Sequence, residues 1–182
     1  MERPDAVAPL LVSLAGLPGT GKTTLARALA AELGAVHVRV DVIETALESS
    51  GAVSVAEHPE LGYRVAYALA ADHLRGGTSV IADTVNPIAM TREAWRRVGV
   101  DARADVFEIE VVCSDAPEHR RRVEARTADI PGHAEPTWDD VMSREYEPLP
   151  LGPASIRVDM LGNAEVAAAQ VLAALADRGG RS

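Results

Sequence analysis

The sequence predicts an α/β protein: a parallel sheet in the middle of three layers, with helices on both faces. Three observations carry this. Strand-like and helix-like segments alternate along the chain, the pattern of repeated parallel crossover units. An early apolar run, Leu10-Leu11-Val12-Ser13-Leu14-Ala15, enters a glycine-rich turn that leaves as a helical pattern carrying Leu25, Leu29 and Leu33. Only 3% of the residues are aromatic while 47% are hydrophobic, so the core must be built from Val, Leu, Ile and Ala. A chain of 182 residues is long enough to bury such a core as one domain spanning residues 1–182.

The elements follow in order. The first helix is expected over about residues 22–33, stopped by Gly34. Val36-His37-Val38-Arg39-Val40 alternates as a short strand and ends at Asp41, and a helix then runs to about Ser49, closed by Gly51. Residues 52–59 read as loop. Between Glu60 and Arg75, Leu61, Val65, Ala68, Leu69 and Asp72 fall at helical spacing, and Gly76-Gly77 ends that helix. Ser79-Val80-Ile81-Ala82-Asp83 predicts a buried strand, and Pro87 suits the first turn of a helix reaching about Val98. Val106 to Cys113 is the longest β-like stretch. Asp115-Ala116-Pro117-Glu118 then predicts a capping box that opens an arginine-rich helix to about Arg126.

Residues 127–137 carry two prolines and no periodicity, which suggests a mobile loop over a site. A short helix from Trp138 to about Tyr146 follows, then a turn-rich stretch over 148–153. Ile156-Arg157-Val158-Asp159 gives a fifth strand. Ala164 to Ala176 gives a last helix, with a frayed tail from Asp177 to Ser182.

Composition narrows the function. Net charge is −9, from 18 basic and 27 acidic side chains, which disfavours a non-specific nucleic-acid binder. No apolar run approaches the ~20 residues that span a bilayer. The polar start Met1-Glu2-Arg3-Pro4-Asp5 is not followed by a signal-like apolar stretch. The single cysteine, Cys113, cannot make an internal disulfide and fits a reducing, cytoplasmic setting. The five histidines show no metal-ligand spacing. Tyr63, Tyr67 and Trp138 could line a pocket, although core packing accounts for each.

The strongest chemical signal is Gly16-Leu17-Pro18-Gly19-Thr20-Gly21-Lys22-Thr23, a full G-x-x-x-x-G-K-[ST] between strand and helix, with Thr24 following. Its glycines let the backbone amides turn inward on an anion, and the emerging helix adds the positive end of its dipole. In such a loop Lys22 reaches the β- and γ-phosphates and Thr23 offers its hydroxyl to Mg²⁺, so ATP with Mg²⁺ is the expected cofactor pair.

Asp41 ends the second strand, where an open α/β sheet presents its ligands, and could take a proton from an acceptor hydroxyl. As a helix cap it would pair instead with Glu44. Asp83 ends the third strand and is the expected carboxylate beside the metal. Arg122 and Arg126 lie one helical turn apart before the 127–137 loop and could neutralise a transferring phosphoryl group; a solvated basic face is the alternative. Arg120 and Arg121 read as surface.

On these residues the chain resembles the small P-loop kinases of the AAA type. These are similar to the kinase domain of polynucleotide kinase, to chloramphenicol phosphotransferase and to zeta toxin. The resemblance runs from Leu11 to about Leu149. It rests on residues 16–23, Val40-Asp41, Gly77 to Asn86, Cys113-Ser114-Asp115 leading to Arg122-Val123-Glu124-Ala125-Arg126, and Trp138 through Tyr146-Glu147-Pro148. It implies a P-loop NTPase fold with a parallel sheet of order 2-3-1-4-5 and a lid over about 127–147. It further implies transfer of the γ-phosphoryl of ATP to a hydroxyl, with Asp41 as general base, Asp83 as second acid and Arg126 as lid arginine. Several members carry an arginine three residues after the base to hold an anionic acceptor. Glu44 stands there instead, so a small-molecule alcohol is expected in preference to a nucleic-acid end.

Overall fold

The structure, a computed structural model, describes residues 8–51 and 53–179. The polar start at Met1–Asp5 lies outside them. Strand β1 (Leu10–Ala15) turns into helix α1 (Lys22–Leu33), followed by β2 (Val36–Arg39), α2 (Val40–Ser49) and α3 (Leu61–Arg75). Then come β3 (Val80–Asp83), α4 (Ala89–Asp101), β4 (Asp105–Val112) and α5 (Ala116–Glu124). The short α6 (Trp138–Ser143), β5 (Ser155–Asp159) and α7 (Ala164–Gly179) complete the order.

The strands form one parallel five-stranded sheet of order β2-β3-β1-β4-β5. Every connection between neighbours must cross a face, and the period-2 alternation of side chains divides the core accordingly. Val12, Leu14, Ile81 and Ile109 point to one face and are sealed by Leu25 and Leu29 of α1 and by Ala167, Ala168 and Val171 of α7. Leu11, Val80 and Ala82 point to the other, under Ala66, Ala70 and Leu74 of α3 and Trp95 of α4. The core is aliphatic apart from Trp95 and Phe107. Among the described residues no helix is long and apolar enough to cross a membrane.

Several boundaries differ from the sequence reading. Pro87 precedes the N-cap Ile88 and lies outside α4, which runs on to Asp101. The reason is Arg92, which is 1% exposed and gathers the carbonyls around it. It donates to Asn86 O at 3.1 Å, Pro87 O at 3.2 Å and Pro148 O at 3.2 Å, and also to Glu147 O. This buried cation fastens the segment after β3 to the one after α6. Helix α5 stops at Glu124, so Arg126 stands beyond it. Asp115 accepts from the Glu118 amide at 2.8 Å as expected, but Glu118 turns its carboxylate to Arg121 and Arg122. Helix α6 ends at Ser143, short of Tyr146, and α7 carries Asp177 to Gly179 in helix rather than as tail; residues 180–182 lie outside the described set.

The 127–137 loop makes several contacts with the rest of the chain. Asp129 binds Arg27 at 2.5 Å and Arg39 at 2.9 Å, and Ile130 is buried. Thr137 and Asp140 close a reciprocal capping box at the start of α6.

Candidate active site

The turn between β1 and α1 is shaped by close backbone approach. A Cβ on Gly16 would collide with the Val111 carbonyl, and one on Gly19 would stand 2.5 Å from Val123 Cγ2 at a left-handed φ of 81°. The Gly16 amide is tied to Val85 O at 3.0 Å, which locks the turn to the segment after β3. His119 Nε2 meets Pro18 O at 2.8 Å from the side, and its ring stacks edge-on with Trp138 at 5.2 Å. Gly21 is the N-cap of α1 and offers no side-chain cap, so the first amides of the helix face outward for an anion.

These elements open a cleft of about 430 Å³ at the carboxyl ends of the strands. Pro18, Gly19, Gly21, Lys22, Thr23 and Thr24 line it. Gly16, Leu17 and Thr20 support the turn from behind, Leu17 O accepting from Thr20 Oγ1 at 2.9 Å and Lys22 Nζ at 2.8 Å. Burial lowers the Lys22 ammonium to about 8, a shift that Asp83 and Asp41 partly offset.

Asp83 is 6% exposed. Burial alone would raise its carboxyl, but the His37 hydrogen bond at 3.1 Å, Lys22 and the Thr23 hydroxyl outweigh it and hold the group below the ordinary range. Arg39 Nε lies 3.6 Å away. The positioning is a consequence of register, since Arg39 and Asp83 are paired residues at the ends of β2 and β3.

Asp41 sits in the first turn of α2, with Arg39 as N-cap and no side-chain cap, so the capping box with Glu44 is not made. Its carbonyl accepts from Thr45 Oγ1 at 2.7 Å, and Thr45 meets His133 Nδ1 of the 127–137 loop at 3.0 Å. The Asp41 carboxylate lines the cleft and makes no hydrogen bond or ion pair among the described residues. Glu44, one turn on, also lines it and packs against Gly62, where a Cβ would displace its side chain. Burial, then Asp41, raises its carboxyl to about 7 against the pull of Arg144.

The two candidate lid arginines differ. Arg122 is engaged on Glu118 at 2.7 Å and the Met160 carbonyl at 2.8 Å. Among the described residues the Arg126 side chain pairs with Glu135 alone, at 2.8 Å. Both still line the cleft. Arg120 and Arg121 are exposed ion-pair partners of Glu124 and Glu118, as their surface reading requires. Tyr63 and Tyr67 pack under α4, with Tyr63 OH accepting from Thr84 Oγ1 at 2.7 Å.

Sequence reasoning missed His37, Arg39, His119, Asp129 and Arg144. His37 and Arg39 alternate with valines on β2, so their shared face was legible. Their approach to Asp83 needs the β2-β3 register.

The strand order, the glycine turn and the acid-lined cleft define a P-loop protein with a kinase-like fold. The chain belongs to the AAA domain family, whose model matches residues 11–148. Among solved structures it is similar to a provisionally named kinase of Chloroflexus aurantiacus J-10-fl. That chain is 25% identical with a TM-score of 0.73, over 91% of this chain and 97% of the other. It is also similar in fold to the Mycobacterium tuberculosis APS kinase CysC in complex with AMPPNP and APS, at 20% identity and TM-score 0.65, over 92% and 98% of the two chains. A gluconokinase from Sinorhizobium meliloti 1021 matches at 14% identity and TM-score 0.68, over 96% and 95%. No curated protein matches the sequence.

Proposed function

We propose that this protein transfers the γ-phosphoryl group of ATP to a hydroxyl of a small molecule. The observation that carries the reading is the pairing of two unlike ends in one cleft. Lys22, Thr23 and the buried Asp83 crowd the glycine turn, and the Asp41 carboxylate, without a hydrogen bond or ion pair among the described residues, faces the same space. The provisional kinase name of the Chloroflexus relative points the same way, as do the nucleotide analogue bound by the APS kinase and the acceptor named for the gluconokinase.

In this reading the turn's amides and Lys22 hold the β- and γ-phosphates. The phosphates' negative charge favours the Lys22 ammonium, against the burial that lowers it to about 8. Asp41 accepts the acceptor's proton as its oxygen bonds to phosphorus. The bond from phosphorus to the bridging oxygen breaks, and ADP leaves with that oxygen. Arg126, and Arg122 to a lesser degree, neutralise the transferring oxygens. Positioning and charge stabilisation supply most of the rate.

Mg²⁺ fits these residues. It commonly uses one or two protein oxygens and fills the rest of its shell with phosphate and water. Asp83 is held as a carboxylate in hydrogen-bond contact with Thr23, which provides such a pair. When bound, the ion draws charge from the β- and γ-oxygens. Residues of about 127–147 act as the lid. Glu44 beside Asp41 puts a carboxyl rather than a cation on the acceptor side, a poor match for phosphorylated acceptors and nucleic-acid ends.

The test is a labelled-ATP screen against pooled sugars, nucleosides, other alcohols and 5′-hydroxyl oligonucleotides, with Lys22→Ala as blank. Lys22-dependent labelling of a small alcohol supports the reading. Labelling of oligonucleotides alone, or of nothing, rejects it.

A further inference from the structure

We propose that Glu135 is a positioning residue for Arg126, fixing its guanidinium as the group that grips the transferring phosphoryl; this rests on the kinase reading above. The ion pair is 2.8 Å long, and its side chains are only 24% and 17% exposed. Both carboxylate oxygens of Glu135 are withdrawn from solvent, and no hydrogen bond reaches either. A carboxylate taken out of water is costly unless its cation stays in place, so the pair favours one arrangement over many.

That arrangement suits an anion in the cleft. The nitrogen nearest Glu135 is Nε, and the Arg126 side chain makes no other hydrogen bond or ion pair among the described residues. Its outer nitrogens therefore remain as a fork for phosphate oxygens. Arg122 contrasts with it, having placed Nε on Glu118 and Nη1 on the Met160 carbonyl.

Glu135 is itself placed between two fixed points of the lid. On one side Asp129 is clasped by Arg27 and Arg39, and His133 meets Thr45. On the other, Thr137 opens the capping box of α6. Ala134 and Pro136, its chain neighbours, line the cleft. The lid thus delivers its buried carboxylate to the back of the arginine, and Asp129 ties that delivery to the same Arg39 that lies beside Asp83.

The experiment needs no acceptor. Calorimetry on the full chain measures binding of Mg-ADP alone and with aluminium fluoride, a stand-in for the transferring phosphoryl. The proteins are wild type, Glu135→Gln, Glu135→Ala, Arg126→Ala and the Glu135→Ala/Arg126→Ala double variant. Thermal unfolding checks that each is folded. The expected result is Mg-ADP affinity within about twofold of wild type throughout, because a lid arginine acts on the charge that develops late. Glu135→Ala should lose about tenfold to a hundredfold of the affinity gained from aluminium fluoride. Glu135→Gln, which keeps an acceptor oxygen, should lose less, and the double variant should match Arg126→Ala alone.

Additive losses, a parallel loss of Mg-ADP binding, or tighter binding once Glu135 is removed would each overturn the assignment. A wild type that binds Mg-ADP but gains nothing from aluminium fluoride would overturn it while leaving nucleotide binding intact. A wild type that binds no nucleotide would sink the kinase reading itself.

Discussion

Replacing Glu44 by Gln should make the protein more stable at pH 8 and change little at pH 5. Burial and the nearby Asp41 raise this carboxyl from 4.5 to about 7, while Arg144 opposes them. The folded protein therefore keeps its proton up to about 7, whereas the unfolded chain releases it near 4.5. Folding is penalised progressively as pH rises through that window, and the penalty is complete above it. At 1.36 kcal/mol per pH unit the gap would amount to about 3 kcal/mol. Glu44 is only half-buried, so solvent screening reduces this to about 1–2 kcal/mol. For a chain of this size that is a rise of about 3–6 °C in Tm at pH 8, shrinking to a small fraction of that at pH 5. Differential scanning calorimetry of both proteins at the two pH values provides the assay. An equal gain at both, or a loss at pH 8, would refute the reasoning.

Asp41→Asn should bind ATP within a few-fold of wild type and lose about 10²–10⁴-fold in kcat, the usual worth of a general base. Unchanged turnover on the alcohol found by the screen would remove Asp41 from the chemistry. Arg92→Met should cost about 3 kcal/mol or more in urea unfolding, because it strands the carbonyls of Asn86, Pro87, Glu147 and Pro148 in the interior. A midpoint equal to wild type contradicts that role. Asp129→Asn should release Arg27 and Arg39 and speed proteolysis within residues 127–137 by about tenfold, since loop opening has become easier. An unchanged cleavage rate would mean that the clasp does not hold the loop.

What was legible in the sequence was whatever local chemistry dictates. The glycine turn from Gly16 to Thr23, the helix stop at Gly34 and the apolar runs of β1, β3 and β4 each carry their own signal. The alternation of elements placed helices on both faces before any contact was known. The errors came where a distant partner decides. Pro87 looked like a helix opener, but Arg92 holds its carbonyl outside α4. Nothing in the composition of residues 127–137 announces the contacts that Asp129 makes with Arg27 and Arg39, far away in the chain. Asp41 lines the cleft from the first turn of α2 rather than from the end of β2, and its capping partnership with Glu44 is absent because the N-cap is Arg39, two residues earlier. The support of Asp83 by His37 and Arg39 depends on the β2-β3 pairing, and Arg144, the C-cap of α6, reaches the cleft with no local signal to announce it.

The central claim is that the turn at Gly16–Thr23 receives the tail of a nucleoside triphosphate. Titrating ATP with magnesium into the intact protein by calorimetry tests it most directly. Saturable binding at one site is expected, with affinity reduced at least tenfold in Lys22→Ala. No detectable heat from wild type at millimolar ATP, or equal affinity in the two proteins, would contradict the account.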